Sequence, residues 1–153
     1  MNPNGTIGEI LNFKGNRVWA ISPDATVFEA IQLMDEKNVG ALLVTQGESL
    51  IGILSERDYT RKVALKGKNS KHTAVKEILS GQVFHVTPEH TVEECMRLMT
   101  AHRVRHLPVL KGERLVGVVS IGDLVNWIIS AQTCTIEQLQ TYISGYPVSA
   151  TST

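Results

Sequence analysis

The chain has 153 residues, 42% of them hydrophobic, and its 15 Lys and Arg balance 15 Asp and Glu. It is long enough for one domain or two small units and too apolar to stay disordered. Zero net charge argues against a general nucleic-acid binder, and no apolar run reaches the roughly 18–20 residues of a membrane span. Two cysteines, Cys95 and Cys134, exclude a disulfide scaffold and a cysteine-rich zinc site. The first twenty residues lack the basic-then-apolar layout of a signal peptide, so the expected compartment is a reducing cytosol.

In chain order, Ile7–Leu11 reads as a lead-in helix and Val18–Ile21 as a short strand stopped at Ser22-Pro23. Thr26 stands where a helix N-cap belongs, and Val27, Ala30, Ile31 and Met34 follow at helical spacing. Ala41–Thr45 and Leu50–Leu54 have strand length and flank a Gly47-Glu48 turn, which predicts a hairpin. A helix from Asp58 to about Lys66 closes this set. The pattern then recurs. Val75–Leu79 matches the lead-in, and Val83–Val86 matches the strand before Thr87-Pro88. Thr91 precedes Val92, Cys95, Met96 and Met99, Leu107–Leu110 and Leu115–Val119 form the second hairpin, and Asp123–Ala131 is the last helix of the copy. A separate tail helix is expected over Ile136–Ile143, ending near Gly145-Tyr146-Pro147, with residues 148–153 frayed.

Shifting the chain by 65 residues lays 21–60 on 86–125 without a gap, with fifteen of forty positions identical. The expected fold is α/β (α+β): two β-α-β-β-α repeats packed with pseudo-two-fold symmetry. The expected bounds are 6–67 and 73–131 for the repeats with their lead-in helices, and 132–147 for the tail. Each repeat carries Gly-x-x-Ser-x-x-Asp, as Gly52…Ser55…Asp58 and Gly117…Ser120…Asp123. Ser-x-x-Asp ahead of an apolar helix is a capping-box variant in its own right and needs no ligand.

The repeat, the twofold Gly-x-x-Ser-x-x-Asp and Arg105-His106-Leu107-Pro108-Val109 resemble a tandem pair of cystathionine-β-synthase (CBS) domains, a Bateman module, over residues 6–131. Gly40–Val44, Glu56–Tyr59 and Tyr142–Tyr146 resemble more narrowly the stand-alone CBS-pair proteins of bacteria and plant organelles. The resemblance implies an adenosine-type ligand in the cleft between the copies. AMP is the first expectation, with ADP, ATP, NAD(H) and S-adenosylmethionine as alternatives. Asp58 and Asp123 would accept from vicinal ribose hydroxyls, with Ser55 and Ser120 beside them. Gly52 and Gly117 would admit the ligand to their strands. Val39, Leu42, Val104 and Leu107 would sandwich the purine, and Val18, Trp19, Gly40, Ala41, His85, Val86, Pro108 and Gly122 complete the expected contacts. Arg57, Arg105 and His106 would meet phosphate.

The copies differ where Gly40-Ala41 stands against Arg105-His106 and Leu43 against Pro108, so unequal binding is expected. His102 and His106 have no third ligand in view for zinc, and there is no phosphate-binding loop or nucleophile elbow. The expected function is therefore regulatory, without catalysis: an adenine-nucleotide sensor acting on an unknown effector protein, with no membrane or nucleic-acid partner. The alternative is a constitutive dimerisation module with vestigial ligand sites. A homodimer is expected through exposed apolar helix faces around Val27, Ile31, Val92 and Met96.

Overall fold

The computed structural model describes residues 2–79 and 83–144. Thr6 caps α1 (Ile7–Lys14) by accepting the Glu9 N–H. After β1 (Ala20–Ile21), Thr26 and Glu29 form a capping box that starts α2 (Val27–Lys37). Two orphan donors of the first turn are thereby satisfied. β2 (Ala41–Gln46) and β3 (Ser49–Ser55) make the expected hairpin, turned at Gly47, whose φ of 63° favours glycine. β1 pairs parallel to β2, setting Ala20 against Leu43. α3 (Glu56–Tyr59) is a single turn that continues as a wider π-type turn over Thr60–Ala64.

In the second copy, Thr91 and Glu94 cap α4 (Val92–His102) in the same way. The Thr91 N–H and hydroxyl hold the Glu94 carboxyl below its ordinary range. β4 (His106–Lys111) and β5 (Arg114–Ser120) form the second hairpin, and α5 runs from Ile121 to Ser144.

Three expectations need correction. Residues 83–86 form no named strand, although Val86 is fully buried. Val86 makes a single β-bridge and no more; Pro108, which stands where Leu43 donates its N–H to the Trp19 carbonyl in the first copy, has no N–H to give. The break expected between residues 131 and 136 is absent, and α5 is continuous. No Gly or Pro occurs between residues 123 and 144, and the Thr135 hydroxyl donates back to the Ala131 carbonyl at 3.0 Å. Finally, Val27 and Val92 do not belong to exposed faces. They are 0% and 2% exposed, while Ile31 and Met96 are partly covered. The expected tail end at Gly145-Tyr146-Pro147 and residues 148–153 lies outside the described residues.

Contacts divide the described chain into two units. The α1 unit holds residues 2–15, 86–107 and 119–144; the α2 unit holds the remainder. Within the α1 unit, Thr6 bridges Thr91, the Ile7 N–H donates to the His90 carbonyl at 2.8 Å, and the Val92 N–H donates to Gly5 at 2.9 Å. Within the α2 unit, Thr26 bridges Ala74, Val27 donates to Thr73 and Val75 to Ala25, both at 2.8 Å. Each lead-in therefore serves the helix start of the other copy. Val27, Ala30, Met34, Leu42, Leu54 and Val63 lie in the core of the α2 unit. Ile7, Ile10, Cys95, Leu107 and Leu124 are buried in the α1 unit, and burial pushes the Cys95 thiol up to about 12.

Candidate functional site

In the α2 unit, the end of β3 hands Ser55 to the start of α3. The Asp58 N–H donates to the Ser55 hydroxyl oxygen at 3.2 Å. Asp58 Oδ2 accepts the Ser55 N–H at 2.9 Å and the Ser55 hydroxyl at 3.0 Å. Lys62 Nζ lies 3.5 Å from the other oxygen, Oδ1. Hairpin register sets Ala41 opposite Ser55, and the Gly40 carbonyl accepts the Glu56 N–H at 3.0 Å. The Trp19 carbonyl accepts the Leu43 N–H at 3.0 Å. The fold thus gathers Gly40, Ala41, Ser55 and Asp58 around one helix start, with Arg57 exposed on its first turn, while Trp19 lies along the other edge of β2. The Trp19 ring faces the Lys37 ammonium at 4.5 Å and the Arg17 guanidinium at 5.7 Å, a cation-rich aromatic surface. Val18 and Val39 are half-buried, and Val39 packs on the core. Leu42 is 1% exposed, so its side chain belongs to the core.

The α1 unit repeats the arrangement. Asp123 Oδ2 accepts the Ser120 N–H at 2.8 Å, and the Asp123 N–H donates to the Ser120 hydroxyl oxygen at 3.1 Å. The Arg105 carbonyl accepts the Ile121 N–H at 2.8 Å, tying Arg105 and His106 to the start of α5 just as Gly40 is tied to α3. The Arg105 side chain is exposed, and Val104 and His106 are half-buried. Val86, Leu107 and Pro108 are buried and His85 is exposed; His85 and Pro108 fall in the α2 unit. A Cβ built on Gly122 would meet nothing nearer than the Ser120 hydroxyl at 3.6 Å.

Sequence reasoning missed three residues here. Lys14, at the end of α1, places Nζ 2.6 Å from Asp123 Oδ2, with both side chains about three-quarters covered (28% and 23% exposed). No sequence signal links residues 109 positions apart. Lys62 was legible as the i+4 neighbour of Asp58. Leu79 corrects the reading of Gly52: a Cβ there would stand 3.0 Å from Leu79 Cδ2, so this glycine makes room for a leucine of the same unit. A cavity of about 590 Å³ opens instead along α4, lined by Pro3, Asn4, Val92, Met96, Ala101 and Ile128 among others; no motif residue lines it. Among the described residues, no His, Cys, Asp and Glu cluster could hold a metal, and no helix is long and apolar enough to cross a membrane.

Comparison with known proteins agrees with this architecture. The CBS domain model matches residues 14–65 and 75–130. The chain is 38% identical over 150 residues to the CBS domain-containing protein CBSX3, mitochondrial, of Arabidopsis thaliana, covering 92% of this chain and 72% of that one. A solved CBS-domain protein from Burkholderia ambifaria MC40-6 is 48% identical and superposes with a TM-score of 0.80, covering 83% of this chain and 96% of that one. A hexameric CBS-CP12 protein from bloom-forming cyanobacteria is 33% identical with a TM-score of 0.71, covering 80% of this chain and 71% of that one. With its internal repeat matched twice and its fold shared, the chain belongs to the CBS-domain family and carries two copies of the domain.

Proposed function

We propose that the chain is a regulatory binding protein for an adenine nucleotide, AMP first, with ADP, ATP, NAD(H) and S-adenosylmethionine as competitors. Binding changes its conformation or assembly, which an effector protein reads. The observation that carries this reading is the duplicated placement of Asp58 and Asp123. Each carboxylate is fixed by the N–H of its own serine, beside a loop carbonyl bonded to the same helix start. Asp123 takes the Ser120 N–H and the Lys14 ammonium both on Oδ2, which leaves Oδ1 to accept from a ribose hydroxyl. Arg57 and Arg105, exposed next to the two motifs, act on phosphate, and His106 supplies a further donor. No catalytic step is proposed, nor any membrane or nucleic-acid partner. The compartment is a reducing one, the cytosol first, and the assembled form is a homodimer.

One observation favours the rival reading, a constitutive interaction module. Both aspartates already complete capping boxes and meet lysines, roles that require no ligand. Asp58→Asn and Asp123→Asn separate the two, since asparagine keeps an acceptor for the serine N–H and removes the charge a ribose would exploit. Calorimetry with AMP should show each variant weakening one site by about 1.5–3 kcal/mol. Unchanged affinity in the double variant, or no binding by the wild type across the panel, leaves the constitutive module standing.

A further inference from the structure

Exposed apolar side chains on this molecule are concentrated on one line. Among the described residues seven large hydrophobic side chains are exposed, and five of them, Val125, Ile129, Ile136, Leu139 and Ile143, lie on α5. With Gln132 they recur at intervals of four, three, four, three and four residues. That is an a/d seam: Ile129, Ile136 and Ile143 at a, and Val125, Gln132 and Leu139 at d. The opposite side of the helix is already used, since Leu124, Trp127 and Ala131 are buried. Beyond Ala131 no described side chain of α5 is fully buried, so its last three turns have little tertiary support. A helical segment of that length is marginal alone in water.

We propose that the α5 seam pairs with the α5 seam of a second copy of this chain, parallel and in register. Three features select that occupant. Glu137 is the only charged residue between 124 and 144, and it sits at b, so flanking positions bring no like charges together when two copies meet. All three a positions hold β-branched Ile, and Leu139 stands at one of the three d positions, a pattern that suits two parallel strands. In register, Gln132 at d faces the same residue of the second copy, and each amide can both donate and accept, so that alignment pairs the seam's one polar side chain and any shift sets it against an apolar one. The five apolar side chains are 40–81% exposed, amounting to roughly 500 Å² per copy and about the 1,000 Å² in total that a specific interface needs. This interface uses neither Val27 nor Val92 and does not depend on nucleotide.

Sedimentation tests the pairing without any ligand. At about 50 µM the wild type should sediment at twice the 16.8 kDa chain mass, and Ile136→Glu/Leu139→Glu should dissociate it, with at least a 100-fold weaker dimer and an unchanged thermal melt. In a Cys134→Ser background, Leu139→Cys should form an interchain disulfide under oxidised glutathione, whereas Gln138→Cys at an outer position should not. A monomeric wild type, a Glu variant that keeps the wild-type mass, or equal cross-linking at 138 and 139 would each overturn the proposal.

Discussion

Lys14 and Asp123 lie 109 positions apart in the chain and 2.6 Å apart in space, joining the end of α1 to the start of α5. The cycle Lys14→Met, Asp123→Asn and the double variant measures what that contact contributes. At this separation Coulomb's law in bulk water gives about 1.6 kcal/mol, and a lower effective dielectric gives more. Desolvation and the ordering of the lysine chain offset part of it, and both side chains keep about a quarter of their exposure. The expected coupling is therefore about 0.5–1.5 kcal/mol, above the median for exposed pairs. Each single variant should cost more than the coupling, because Lys14 also faces the negative end of α1 and Asp123 the positive end of α5; the cycle cancels those contributions. Urea titrations of the four proteins read it directly, and raising the salt to 1 M should reduce it. A coupling below about 0.2 kcal/mol at low salt would refute the claim that this pair ties the two helices together.

Two glycines should move stability in opposite directions. A Cβ at Gly5 would stand 2.8 Å from the Trp127 ring, whose indole N–H is held by the Asn2 carbonyl, so Gly5→Ala should cost about 1–3 kcal/mol and shift tryptophan fluorescence. Gly122→Ala enters open space in the first turn of α5 and should add about 0.5–1 kcal/mol to the thermal melt free energy. The buried Cys95 thiol, raised to about 12, keeps its proton in the folded chain while the unfolded chain loses it from about pH 8.5 upward. Stability should therefore fall between roughly pH 8.5 and 12 and show no contribution from this group below that window. Iodoacetamide should label the half-exposed Cys134 in the native protein and Cys95 only after unfolding; equal native labelling would contradict the burial.

Elements with local causes were legible before the structure. Thr26 with Glu29, Thr91 with Glu94, and the Gly47 and Gly112 turns are short-range devices, and their duplication doubled the signal. The Ser-x-x-Asp pairs were legible as caps for the same reason. What depended on distant partners was not. Leu79 against Gly52 and Lys14 against Asp123 arise only once the chain has folded. Val27 and Val92 looked available because periodicity shows which face is apolar and not whether another segment covers it. Residues 132–136 read as a break, yet Thr133, Cys134 and Thr135 are only weak helix formers, and no Gly or Pro among them stops α5.

The exchanged lead-ins impose an order on synthesis. α1 has eight residues, too few to hold a helix alone, and its Ile7, Ile10 and Leu11 become buried in a unit whose other helices are α4 and α5. At ribosomal rates of about 5–20 residues per second, on the order of 6–25 seconds separate the emergence of Lys14 from that of Ala131. During that interval the first helix of the chain is an apolar segment waiting for its partners, while the α2 unit, complete once Val118 has emerged, closes ahead of it. Ile7, Ile10 and Leu11 are thus made before the α2 unit and buried after it.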